Sequence, residues 1–229
     1  ADLLSIAQAD RIDIKSILDG KKESNNKLDL ILHTPGGDIQ ATKMIVNALR
    51  QHYEHIRVIV PITAMSAGTM IALAADEILI SKIGNLGPID PQLFLGSINS
   101  FIPANEIGKV IETAKNDINR NINVNYWFYE LSKYPAAINF MSENVIKQSK
   151  DMTLEWLKKW MFKNETTDLK ASNVLNYFSN YDMHLIHGNH LTYEELKENV
   201  PELNISLLED DPALKELVDS VFYSYDIFL

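Results

Sequence analysis

Two glycine-bearing turns constrain this chain more than any other feature. The first, Pro35-Gly36-Gly37, ends the apolar run Leu28 to His33, whose only charge is Asp29. The second, Met65-Ser66-Ala67-Gly68, follows His55 to Pro61, a run rich in β-branched residues. A helical pattern follows each turn. Over residues 38–52, Ala41, Met44, Ile45, Ala48 and Leu49 recur at three- and four-residue spacing, which predicts one apolar face with Asp38 as its cap. Ala67 to Ala75 is apolar nearly all round, as in a buried helix. Glu77 to Ser81 reads as a third short strand. Short apolar strands alternating with helices predict parallel pairing through right-handed crossovers. In such sheets functional groups gather at the carboxyl ends of the strands, where both turns fall.

The turns carry complementary halves of one chemistry. A serine hydroxyl needs a base to become a nucleophile, and the tetrahedral intermediate needs donors for its oxyanion. Ser66 opens a helix, so the N–H of Ala67 is unpaired and supplies one donor. The Pro-Gly-Gly turn supplies the other, because glycine lets a backbone N–H approach a substrate. Each such donor is worth about 3 kcal/mol of transition-state stabilisation. The elbow pattern G-x-S-x-G is half met, with Ala64 in the first glycine position and Gly68 in the second. The plainer reading of these residues is a serine capping a buried helix and two glycines ending a strand.

Signals in the remaining chain are coarser. Arg11 to Ile14 alternates and suits a strand or a short helix, and Gly20 to Lys27 is a polar loop. Gly84 to Leu93 is turn-rich, and Phe94 to Ile102 adds a strand or loop. Helices are expected over residues 104–120, about 136–162, 166–177 and about 211–222. Met183 to His190 reads as a loop or short strand, and Thr192-Tyr193-Glu194-Glu195 as a capping box opening a helix. The 229 residues, 46% hydrophobic, suffice for a full core and are read as one domain, 28–93 its catalytic core and about 136–229 a helical extension. The net charge of -10 argues against nucleic acid as a partner. Absent cysteine excludes disulfides, thiolate metal sites and thiol catalysis, and fits the cytoplasm. No run reaches the roughly 18 apolar residues of a membrane span, and the start lacks a signal-peptide pattern. Membrane association would fall to a segment outside this sequence.

Four stretches in order resemble a known family: Leu30-Ile31-Leu32-His33-Thr34-Pro35-Gly36-Gly37, Ala64-Met65-Ser66-Ala67-Gly68-Thr69, Ala74-Ala75-Asp76-Glu77-Ile78 and Leu86-Gly87-Pro88-Ile89-Asp90-Pro91-Gln92. Together they resemble the serine dehydrogenase proteinase family, a relative of signal peptide peptidase A and the Clp protease subunit. The resemblance is dense over about residues 28–93. It implies the α/β ClpP/crotonase fold, a spiral of ββα units with a mostly parallel sheet and a helical C-terminal part. It implies a serine peptidase with Ser66 as nucleophile and Gly36, Gly37 and Ala67 at the oxyanion hole. It implies a peptide or protein substrate and a homo-oligomer. Despite the family name, no dinucleotide fingerprint is present, so no cofactor is expected.

The base is not fixed by these motifs. The Clp subunit carries its histidine on the strand after the serine helix, where this chain has Ile89 or Asp90. That departure is similar to signal peptide peptidase A, which uses a lysine. Lys109 and Lys115 lie on the next helix, and Lys115 flanks its apolar face; a lysine base must be desolvated. His187, in a turn similar to the family's late histidine turn, is the other candidate, with an imidazole suited to neutral pH. His184, His187 and His190 share three-residue spacing, but Gly188-Asn189 breaks the helix that would align them, so no metal is expected. Asp90 reads as a turn residue rather than a carboxylate orienting the base, and His33 as a packed strand residue. Tyr126 to Tyr129, with Trp156 and Trp160, suit core or subunit interface. Two other readings stand beside the peptidase: a non-catalytic ClpP-fold assembly or binding protein, and a crotonase-type acyl-CoA enzyme.

Overall fold

A computed structural model describes residues 5–19 and 26–226. Most of the polar stretch Gly20 to Lys27 lies outside these residues. The elements are α1 (Asp10–Asp19), β1 (Lys27–Ile31), α2 (Ile39–His52), β2 (His55–Val60), β3 (Thr63–Ala64), α3 (Ala67–Leu73), β4 (Glu77–Ile80) and β5 (Asn85–Leu86). Then come β6 (Gln92–Leu95), β7 (Ser100–Pro103), α4 (Ala104–Asn119), α5 (Val124–Leu131) and α6 (Ile138–Lys159). The chain ends with α7 (Leu169–Phe178), α8 (Tyr181–His184), β8 (Leu191–Thr192), α9 (Tyr193–Asn199), β9 (Ile205–Leu207), a 3-10 turn at Leu208–Asp210 and α10 (Pro212–Asp226).

The chain forms two compact units, the first running to Ile89 and resuming at Thr153, the second spanning Asp90–Met152. The first holds two sheets. One has the order β1-β2-β4-β9 and is parallel throughout. The other has the order β3-β5-β8, with β5 parallel to β3 and antiparallel to β8. The chain changes sheet twice in the same manner, from β2 through Pro61-Ile62 to β3 and from β4 through Ser81–Gly84 to β5. An isolated parallel bridge between Thr34 and Ala64 repeats the manoeuvre after β1. A long strand, a short strand in a second sheet and then a helix is the repeating ββα step, and it is seen in β1 to α2 and β2 to α3.

Packing explains why the strands are nearly continuous apolar runs. Val58, Val60, Ile78 and Ile80 are completely buried, and Ile59 is only 1% exposed, as expected for strands covered on both faces. Each such side chain contributes about 1.5–3 kcal/mol by leaving water. Ile59, Leu208 and Val218 form one cluster, with Ile31, Leu79 and Leu214 at its edge, so α10 packs on the parallel sheet. All of α3 is buried, as its uniformly apolar sequence predicts. The second unit has its own core of Leu95, Ile107 and Ile138, edged by Leu93, Ile102, Ile111 and Tyr134.

Local signals account for several boundaries. Asp38 caps α2, its carboxylate accepting from the Ala41 N–H at 2.6 Å. Thr192 and Glu195 form the full capping box of α9. Arg11 to Ile14 belongs to a helix rather than a strand. Phe94 to Ile102 falls in the β6–β7 hairpin. Met183 and His184 sit in a helical turn, not a loop or strand, because the Asn180 side chain accepts from the Met183 N–H and Leu185 (φ 64°) ends the turn. Trp156 is core, whereas Tyr126, Phe128 and Tyr129 on α5 are exposed. No helix among the described residues is long and apolar enough to cross a membrane.

Candidate active site

The bridge between Thr34 and Ala64 places the two turns side by side. The Thr34 N–H donates to the Thr63 carbonyl and the Met65 N–H to the Thr34 carbonyl, both at 3.0 Å. The chain therefore leaves both strands at the same level, and the α-carbon of Gly36 lies against Ser66. A β-carbon on Gly36 would come within 2.9 Å of the Ser66 β-carbon and 3.4 Å of the Ala67 nitrogen. Only glycine permits that approach, and Gly36 has φ 114°.

Ser66 is held in an unusual backbone state, φ 50° and ψ -112°, and its side chain makes no capping bond to α3. A non-glycine residue there costs about 1–3 kcal/mol, and the surrounding structure must impose it. Two restraints do so. The Gly68 N–H donates to the Met65 carbonyl at 2.7 Å and the Met70 N–H to the Ser66 carbonyl at 3.0 Å. Gly68 also presses on Thr34: a β-carbon there would lie 2.5 Å from the Thr34 methyl. Ser66 occupies the N-cap position of α3, but it is partly exposed and its hydroxyl is not spent on a capping bond.

The backbone N–H groups nearby divide into used and unused. Gly36 donates to the Thr34 hydroxyl at 3.1 Å. By contrast, the N–H groups of Gly37 and Ala67 have no hydrogen-bond partner among the described residues. The oxyanion expectation for Gly36, Gly37 and Ala67 thus separates: Gly37 and Ala67 have N–H groups available, and Gly36 provides the close approach. The serine loop is braced from below by Thr69, which donates to the Ala64 carbonyl at 2.7 Å and accepts from the Gly87 N–H at 2.9 Å.

The candidate bases are placed differently. His187 is half-buried in the turn that precedes β8. Because β8 pairs with β5 and β5 with β3, that turn leads into the sheet whose first strand ends two residues before Ser66. Lys109 and Lys115 are both exposed on α4, whose buried positions are Ala104, Ile107 and Ala114. His184 is buried and its Nε2 meets the Tyr177 carbonyl at 2.7 Å. The Nδ1 of His190 meets Asn85 Oδ1 at 2.7 Å, and Thr63 donates to that same oxygen at 2.8 Å. Sequence reasoning missed this Asn85–His190 pairing. Its only signal was an asparagine in a turn-rich stretch. Among the described residues no histidine–carboxylate group is arranged to hold a metal. Asp90 is buried. His33 follows the end of β1, with its ring edge-on to Phe222 at 5.4 Å.

The Asp76 motif is structural. Asp76 is 7% exposed and accepts from Arg50 at 2.7 Å, from the Ile56 N–H at 2.8 Å and from Lys163 at 2.9 Å. Arg50 in turn donates to the Ala74 carbonyl and lies 4.5 Å above Trp160. Burial pushes the Asp76 carboxyl upward, but the bonds from Ile56, Lys163 and Arg50 outweigh it and hold it below the ordinary range.

Comparison with known proteins fits this geometry. Two uncharacterised proteins of Methanocaldococcus jannaschii are similar: one is 49% identical over 85 residues, covering 37% of this chain and 28% of that protein. The other is 31% identical over 203 residues, covering 86% of this chain and 61% of that protein. The chain therefore spans less than two thirds of either relative. Among solved structures, a serine-to-alanine variant of the 1510-N membrane-bound stomatin-specific protease superposes with TM-score 0.54 at 16% identity, covering 92% of this chain and 78% of that one. A lysine-to-alanine variant of that protease, in complex with a substrate peptide, gives 0.52 at 18%, covering 89% and 70%. At these identities the likeness is one of fold. The profile of the ClpP-like SDH-type serine proteinases matches residues 4–222, and the chain belongs to that family.

Proposed function

We propose that this protein is a serine peptidase that cleaves peptide bonds through an acyl-enzyme, with residues 28–93 as its catalytic core. Ser66 Oγ attacks the scissile carbonyl carbon while a base takes its proton. The carbonyl oxygen gains charge and is received by the N–H groups of Gly37 and Ala67. Collapse expels the amine, which takes the proton back from the base, and water then releases the acyl group. The observation that carries this reading is the packing of Gly36 on a strained, uncapped Ser66 beside two unused N–H groups. Such preorganised donors are worth about 3 kcal/mol each.

For the base we favour His187, because strand pairing leads its turn into the sheet whose strand β3 ends two residues before Ser66 and because imidazole accepts protons near neutral pH. Lys115, exposed on α4, lacks the desolvation that a lysine base requires. The solved relatives carry serine-to-alanine and lysine-to-alanine substitutions, one with a substrate peptide bound, so the lysine alternative belongs in the test. Membrane attachment and stomatin specificity are attributes of those proteins. For this chain we assign peptide bonds of protein substrates and assembly as a homo-oligomer.

Turnover of a quenched fluorogenic peptide pool tests the reading. Wild type should cleave and Ser66→Ala should not. His187→Ala should lower kcat far more than Lys115→Ala does. The reverse order would move the base to Lys115, and equal cleavage by Ser66→Ala would end the peptidase reading in favour of a non-catalytic assembly protein.

A further inference from the structure

A backbone segment outside the two turns, centred on Ile6, is tied to the Gly36–Gly37 peptide. The segment around it forms a parallel bridge with Gly37. The Ile6 N–H donates to the Gly36 carbonyl at 2.7 Å, and the Asp38 N–H donates to the Ile6 carbonyl at 2.9 Å. Gln8 adds a third tie, its amide donating to Asp38 Oδ1 at 2.9 Å. Approach is so close that a β-carbon on Gly37 would lie 2.2 Å from the Ile6 carbonyl oxygen. The Ile6 side chain is 8% exposed, which anchors the segment.

The consequence follows from peptide geometry. The Gly36 carbonyl and the Gly37 N–H belong to one planar trans unit and point in opposite directions. Fixing the carbonyl toward Ile6 therefore fixes the N–H away from it. Glycine at both positions, with φ 114° and 149°, leaves that unit free to rotate if nothing holds it. The Thr34 hydroxyl accepts from the Gly36 N–H at 3.1 Å and donates to the Gly36 carbonyl at 3.2 Å, so two groups hold that carbonyl, and the bond from the Ile6 N–H at 2.7 Å is the shorter.

We infer that the segment carrying Ile6 is a clasp that keeps the Gly36–Gly37 peptide turned so that its N–H serves the oxyanion hole, and that releasing the clasp disables the site without removing a catalytic group. This rests on the peptidase reading for its effect on rate, but not for its effect on the amide. Ile6 is a positioning residue.

Two readouts separate the cases. Ile6→Pro removes the donor while keeping bulk, Ile6→Ala keeps the donor but weakens the anchor, and Ile6→Val retains both. The first readout is the rate at which a fluorophosphonate labels Ser66. The second is the Gly37 amide resonance in protein labelled with 15N-glycine, a spectrum of nine glycines. Losing one oxyanion donor lowers the rate about 100- to 1000-fold; with the Thr34 hydroxyl still on the Gly36 carbonyl, Ile6→Pro should show a loss of up to that order, with a shifted Gly37 amide and unchanged probe affinity. Ile6→Ala should show a smaller loss with a shift in the same direction, and Ile6→Val should match wild type. If Ile6→Pro does not fold, Ile6→Ala decides. A wild-type rate together with an unmoved Gly37 amide overturns the clasp. If wild type is not labelled, the peptidase reading falls, and the amide still decides: a shift upholds the clasp and its absence overturns it.

Discussion

Ser66 occupies a backbone conformation that its side chain opposes, and that strain has a measurable sign. Removing the β-carbon relieves a cost of about 1–3 kcal/mol, so Ser66→Gly should be more stable to denaturant than Ser66→Ala by about that amount, though both lose the hydroxyl. Equal midpoints would mean that the strain is not present in solution. Gly37 makes the opposite prediction. With a β-carbon only 2.2 Å from the Ile6 carbonyl oxygen, Gly37→Ala must displace backbone, and its thermal midpoint should fall together with the rate of Ser66 labelling. The residues legible in the sequence were those whose type is itself the chemistry: a serine between a strand and a buried helix, and glycines at a strand end. Ile6 was illegible because it acts through its backbone N–H and carbonyl, which every non-proline residue carries. The separate duties of Gly36 and Gly37 were hidden for the same reason.

At the level of elements, α3 and its braces keep the serine turn in place. Thr69 is buried and serves both the Ala64 carbonyl and the Gly87 N–H. Thr69→Val keeps the shape and orphans both groups, costing about 1–3 kcal/mol for each; urea unfolding should show this loss, and Thr69→Ser should recover most of it. A valine variant as stable as wild type would show that water replaces the hydroxyl. Long elements with caps were legible: Asp38 before α2, the box before α9 and the apolar periodicity of α4 all survive in the structure. The strands β3, β5 and β8 were not, because two residues give no alternation to detect. They exist through pairing alone, yet they carry the serine turn and the turn of His187.

Across the whole molecule, the buried group centred on Asp76 links α2, β2, β4 and the segment after α6. A carboxyl held below its unfolded value of about 3.9 stabilises the fold fully above that pH. That contribution is lost as pH falls through the depressed folded value. Stability should therefore drop on acidification below about pH 4, and Asp76→Asn should flatten that limb while costing about 3–5 kcal/mol near neutrality, since it leaves Arg50 without its buried counter-charge. An unchanged acid limb in Asp76→Asn would assign the effect to other carboxylates. Homo-oligomer assembly is tested at the exposed aromatics of α5: Phe128→Glu should lower the sedimentation coefficient, and an unchanged value would move the interface elsewhere. Whether the two turns form one nucleophile and oxyanion site is read out by fluorophosphonate treatment followed by peptide-mapping mass spectrometry. A single adduct on Ser66 is expected, absent from Ser66→Ala and strongly slowed in Gly37→Ala. No adduct, or one that persists in Ser66→Ala, would contradict it.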